Sequence, residues 1–188
     1  SQLFTGSYDG VVCTHNIETG VIRRVIGQDK KTLTGSAHTG KVTGLTLSEG
    51  VLQTVGWDDK LRLADPIPCN FSAHIDLVGQ PCGIASSPNS SITVTATNKE
   101  LAAYRGVTKL FTLEKLTYGP TCVDLLGETE VAVGGDDNKT HIYSIAGLTG
   151  FVPVTVIDTR SPVSALAYSP LGDALAIGDN GRQVEVYD

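Results

Sequence analysis

AHTGKVTGLTLSEGVLQTVGWDDKLRLAD, residues Ala37 to Asp65, is the stretch from which the chain is best read. It opens on a small residue and a histidine and runs through the apolar set Val42, Leu45 and Leu47. It then crosses Gly56-Trp57-Asp58 and closes on the alternating Lys60-Leu61-Arg62-Leu63. Alternation of apolar and polar residues marks a half-buried strand, and Gly or Asp clusters between such runs supply turns. The stretch therefore reads as three short strands joined by tight turns, with no helical period in it.

The rest of the chain is built the same way. Its 188 residues are 18% charged and 40% hydrophobic, a globular balance, and 21 are glycine, which suits a turn-rich all-β chain. The net charge of −6 argues against nucleic acid, because a phosphate-binding surface needs clustered cations. Arg23-Arg24 and Lys30-Lys31 are the basic pairs, and both read as solvated strand or loop. No apolar run approaches the roughly 20 residues that span a bilayer, and no charged-then-apolar secretory segment opens the chain. A soluble, cytoplasmic protein without a membrane partner is expected. Cys13, Cys69, Cys82 and Cys122 lack C-x-x-C spacing and lie in or beside apolar runs, as reduced, buried thiols do. Asn70-Phe71-Ser72, Asn89-Ser90-Ser91 and Asn138-Lys139-Thr140 fit the glycosylation pattern, which arises often by chance in such turns.

The chain carries an internal repeat. The residues closing each third strand, His15, Ala64, Tyr104, Tyr143 and Tyr187, are separated by 49, 40, 39 and 44 positions. A four-stranded propeller blade takes about 40 to 45. First strands give a second register: Val42/Leu45/Leu47, Pro81/Ile84/Ser86, Pro120/Val123/Leu125 and Val163/Leu166/Tyr168 start 39, 39 and 43 residues apart. Six residues before the closing positions stand Asp9, Asp58, Asn98 and Asp137, side chains that fix tight turns by bonding backbone amides. The expected fold is an all-β propeller of four-stranded blades.

In order, Leu3 to Gly6, Val11 to His15 and Val21 to Ile26 form a partial blade over 1–36 that lacks its opening strand. Whole blades follow over 37–75, 76–115 and 116–158, the first of them with its outer strand at Ile67 to Phe71. A second partial blade, 159–188, lacks its outer strand. Three whole and two partial blades make a partial ring, whose expected neighbour is the remainder of its own propeller.

With the blades registered, the motifs resemble the WD-repeat propeller family. Phe4-Thr5-Gly6-Ser7-Tyr8-Asp9-Gly10, Ala37-His38-Thr39-Gly40-Lys41-Val42 and Asp58-Asp59-Lys60-Leu61-Arg62 fall in the order found in the second propeller of the actin-interacting protein 1 family. So do Val131 to Asp137, His141-Ile142-Tyr143-Ser144-Ile145, Ser161-Pro162-Val163 and Ala167-Tyr168-Ser169-Pro170. The closing pair is Ala64-Asp65 where many relatives have Trp-Asp. The resemblance implies a non-enzymatic, cytoplasmic regulator of the actin cytoskeleton whose partners are actin and cofilin. It also makes His38 the structural histidine of its blade, with His74 as an irregular counterpart.

The chain has no G-x-S-x-G elbow and no metal-ligand spacing of His, Asp or Glu, so neither catalysis nor a cofactor or metal is expected. Asp136-Asp137-Asn138 lacks the further oxygen ligands of a calcium loop and reads as a turn. Asp9, Asp58, Asp137 and His38 are assigned to turn and blade hydrogen bonds. Tyr8 and Trp57, each just before a turn Asp, are the candidate partner-binding residues, since aromatic side chains anchor interfaces. Packing between blades is the competing reading for both, and the better one for Tyr8. A scaffold for another multiprotein complex, or for an enzyme or receptor site across a central channel, remains the alternative function.

Overall fold

The computed structural model describes residues 1–27, 37–87 and 90–188. Lys30, Lys31 and Asn89 lie outside them. The described residues form five β-sheets in chain order. The first holds β1 (Gln2–Gly6), β2 (Val12–Asn16) and β3 (Ile22–Arg24). The second holds β4 (Ile26–Gly27), β5 (Val42–Ser48), β6 (Val51–Gly56), β7 (Lys60–Asp65) and β8 (Asn70–Asp76), in the order β4-β8-β7-β6-β5. The third is β9 (Pro81–Ser86), β10 (Ile92–Thr97), β11 (Glu100–Arg105) and β12 (Thr108–Glu114). The fourth is β13 (Pro120–Leu126), β14 (Glu130–Gly135), β15 (Lys139–Ser144) and β16 (Val152–Asp158). The fifth is β17 (Val163–Tyr168), β18 (Leu175–Asp179) and β19 (Val184–Tyr187).

First strands pack side by side, β5 on β9, β9 on β13 and β13 on β17, so the sheets radiate from a common centre. The core is a series of layers between sheets. Val12 and Val25 meet Leu52, Ala64 and Phe71 in one layer, and Leu61 and Leu63 meet Ala102 and Tyr104 in the next. Leu101 and Val94 face Val131 and Val133 in the third, and Ile142 faces Leu175 and Ile177 in the last. Close approach is allowed where a strand carries glycine in its last two positions: a Cβ on Gly6 or Gly134 would come within 2.6 Å of Val42 or Val163 of the next sheet. The outer faces of the terminal sheets stay open, with Leu3 and Ile22 exposed on one and Val184 and Val186 on the other.

The three-residue step in the first strands has a local cause. Each carries a β-bulge near its start, between Val42 and Gly44, beside Pro81, between Pro120 and Cys122, and between Val163 and Ala165. One extra residue turns the alternation of a strand from i, i+2 to i, i+3.

Two strands differ from expectation. The outer strand of the second sheet is Asn70–Asp76, not Ile67 to Phe71. Pro66 and Pro68 lack N–H donors and Cys69 sits at φ +58°, so the apolar run Pro66 to Cys69 is a turn and Ile67 projects into solvent. The expected strand from Val21 to Ile26 is split. Val25 is fully buried, its amide donating to the Val12 carbonyl at 2.8 Å, and Ile26 then donates to the Cys69 carbonyl at 3.0 Å. Ile26–Gly27 thereby joins the second sheet as a parallel strand against Asn70 and Phe71.

Candidate functional site

The turns after β1, β6, β8, β10, β12, β14, β16 and β18 share one end of the array, and the chemistry expected of the chain gathers there. Asp58 lies in the β6–β7 turn and His38 just before β5. His38 Nδ1 lies 2.6 Å from Asp58 Oδ1, and His38 Nε2 lies 2.8 Å from Thr54 Oγ1. Arg62 donates to Asp58 Oδ2 at 2.9 Å and its guanidinium lies 5.9 Å from the Phe71 ring centre. Burial pushes the Asp58 carboxyl up, but the hydrogen bonds from His38 and Arg62 outweigh it and hold the group well below the usual carboxylate range.

Carboxylate, imidazole and hydroxyl in series are the parts of a nucleophilic triad. Here they have no access to substrate, because Thr54 is fully buried and His38 nearly so. The arrangement serves to tie the β6–β7 turn to the segment before β5. Thr54 and Arg62 escaped the sequence reading. The signal for Arg62 was weak, since a basic residue in an alternating strand reads as solvent-facing.

The other assigned residues do different work. Asp9 is exposed and accepts from the Val11 amide at 3.1 Å within its own turn. In the fourth sheet two neighbours divide the role that Asp58 fills alone. Asp136 accepts from the Gly119 amide at 2.8 Å, while Asp137 bonds His141 Nε2 at 3.1 Å and leaves its Oδ1 buried without a partner. His141 stacks on Tyr118 with ring centres 3.7 Å apart, and the Tyr118 and Tyr143 hydroxyls meet at 2.9 Å. Desolvation raises the pKa of both phenols. In the third sheet Asn98 Oδ1 accepts from the Gln80 amide at 3.0 Å. His74 is an exposed residue of β8 paired opposite Arg62, so it is no counterpart of His38.

Tyr8 and Trp57 come together across the seam between the first and second sheets. Their rings meet edge to face with centroids 6.1 Å apart, and Lys41 Nζ sits 5.4 Å from the Trp57 ring. Tyr8 is 73% exposed and Trp57 47% exposed, so the packing expected of Tyr8 covers only a small part of its side chain. The result is an aromatic patch beside a lysine, on the same end of the molecule as the turn carboxylates. Of the cysteines, Cys69 alone is fully buried; burial raises the thiol pKa of Cys82 and Cys122. Among the described residues, no three His, Cys, Asp or Glu side chains cluster as a metal site would require.

No protein-family profile matches the chain. It is 32% identical over 188 residues to the 66 kDa stress protein of Physarum polycephalum, a match covering 99% of this chain and 30% of that protein. Actin-interacting protein 1 of Drosophila melanogaster is 32% identical, with 100% and 29% covered, and WD repeat-containing protein 1-B of Xenopus laevis is 31% identical, with 100% and 30% covered. The chain thus spans about 30% of the length of these relatives. Among solved structures, a chain of the computationally designed Ika8 protein superposes with a TM-score of 0.75 at 16% identity, over 99% of this chain and 55% of that one, a likeness of fold alone. The chain is therefore an all-β propeller chain of the WD-repeat type, similar over its whole length to part of actin-interacting protein 1.

Proposed function

We propose that the chain is a non-enzymatic interaction surface that takes part, with cofilin, in the disassembly of actin filaments. The observation that carries this reading is the similarity along the entire chain to proteins named for interacting with actin. The buried state of the His38, Asp58 and Thr54 constellation supports a scaffold over an enzyme. Partner recognition falls to Tyr8 and Trp57, whose exposed rings and nearby Lys41 offer apolar area, hydrogen-bond donors and a positive charge at one place. The protein works in the cytoplasm on the actin cytoskeleton, and the rest of its propeller holds this array in place.

Cosedimentation tests the reading. The whole protein should pellet with cofilin-decorated filaments and increase the actin left in the supernatant, relative to cofilin alone. Equal supernatant actin with and without the protein would remove actin disassembly from its function and leave a WD-repeat scaffold of another assembly.

A further inference from the structure

The opposite end of the array, formed by the turns after β2, β5, β7, β9, β11, β13, β15 and β17, has a different chemistry. Exposed carboxylates stand there at Glu18, Glu49, Asp65, Glu128 and Asp173. Two guanidiniums reach it among the described residues, and both are engaged: Arg23 donates to the Ile67 carbonyl at 2.8 Å and Arg105 to Ser91 Oγ at 3.1 Å. Large aliphatic side chains are bare at the same end, Ile17, Ile67, Val107 and Leu171, with Leu171 at 87% exposure and Ile67 at 77%.

Between the β5–β6 and β7–β8 turns these features converge in a groove of about 460 Å³. Val51, Ile67 and Pro68 give it apolar walls, Glu49 and Asp65 stand in its lining, and no lysine or arginine among the described residues lines it. By contrast, the groove at the other end of the third sheet is lined by Lys99, Lys109 and Lys115 together with Glu100 and Glu114. The acidic groove is also fixed in shape. Asp65 Oδ1 accepts from the Ile67 amide at 2.9 Å, the Cys69 thiol donates to the Pro66 carbonyl at 3.1 Å, and two prolines stiffen the loop. A preformed groove spares its ligand the cost of ordering a loop.

We propose that this groove docks a basic segment of a partner protein in which lysine or arginine alternates with aliphatic residues. The aliphatic side chains and the stems of the basic ones lie against Val51, Ile67 and Pro68, and the cationic heads reach Glu49 and Asp65. The site is separate from the Tyr8 and Trp57 patch, at the other end of the strands, and does not depend on the actin reading.

The probe is a fluorescein-labelled peptide of alternating leucine and lysine pairs, titrated against the whole protein by anisotropy, with the same peptide carrying glutamate for lysine as its control. The lysine peptide should bind saturably and the glutamate peptide should not. Glu49→Lys should weaken binding about tenfold or more, and Ile67→Ser should weaken it without changing its salt dependence. Glu114→Lys makes the same charge change at the other end and should leave affinity as it was. Melting curves on Glu49→Lys, whose side chain makes no bond within the loop, establish that the fold is kept. Equal losses from Glu49→Lys and Glu114→Lys would reduce the effect to overall charge and overturn the proposal. So would equal binding of the two peptides, or an unaffected Ile67→Ser protein.

Discussion

His38 and Asp58, from the two sides of a β-hairpin, meet at 2.6 Å with 0% and 5% of their side chains exposed, and Arg62 closes on the second oxygen of the same carboxylate. Removing Asp58 leaves the buried Arg62 guanidinium without its counter-charge. Asp58→Ala should therefore cost about 3 to 5 kcal/mol in chemical denaturation of the whole protein. An unchanged midpoint would mean that neither the Arg62 pair nor the bond to His38 contributes to stability.

The same carboxylate predicts an acid limb. Its folded-state pKa is depressed below the unfolded value of about 3.9, so its contribution is complete above that pH and is lost as pH falls below it. The wild-type melting temperature should drop below about pH 4 more steeply than that of Asp58→Asn, which has no proton to take up. Parallel curves for the two proteins would assign the acid sensitivity to other carboxylates.

How much of this was legible in the sequence depended on whether a feature was local. The bulged first strands announced themselves through Val42/Leu45 and Pro81/Ile84, because a bulge is written in the spacing of one strand. The run Ile67 to Phe71 satisfies a strand pattern, but the donors missing at Pro66 and Pro68 and the positive φ of Cys69 delay the strand to Asn70. Arg62 was invisible for a different reason. Alternation in Lys60-Leu61-Arg62-Leu63 implies one wet face, but stacking of the first sheet on the second buries both, leaving Arg62 3% exposed. The meeting of Tyr8 with Trp57 likewise depends on how two sheets stack, which no single strand encodes.

Trp57 is half exposed and touches Tyr8 rather than the core, which separates recognition from stability. Trp57→Ala and Tyr8→Ala should each shift stability by only about 0.5 to 1.5 kcal/mol, the worth of an aromatic pair. Each should reduce cosedimentation with cofilin-decorated filaments. A loss of about 3 to 5 kcal/mol on cutting Trp57 back would instead mark it as a packing residue.

Gly134, next to last in β14, reports on how tightly sheets are stacked. A methyl group on Gly134 would stand 2.6 Å from both Cys122 Sγ and Val163 Cγ1. Gly134→Ala should cost about 1 to 3 kcal/mol through overpacking, and Val163→Ala in the same chain should recover part of that loss. Additive losses in the double variant would show that the two residues do not compete for space.

The open faces of the terminal sheets give the last expectation. Val184 and Val186 of β19 are 75% and 65% exposed, and Leu3 and Ile22 of the first sheet are 52% and 62% exposed. Apolar side chains on a short strand at a sheet edge invite pairing with another chain. A polypeptide of these 188 residues alone should therefore self-associate, with a mass by light scattering above the 19.7 kDa of one chain that rises with concentration. Charge placed on the β19 edge, as Val184→Lys with Val186→Lys, should shift that mass back toward one chain, because a lysine-bearing edge resists strand addition. A polypeptide that stays monomeric and melts cooperatively would show that the five sheets satisfy their own edges.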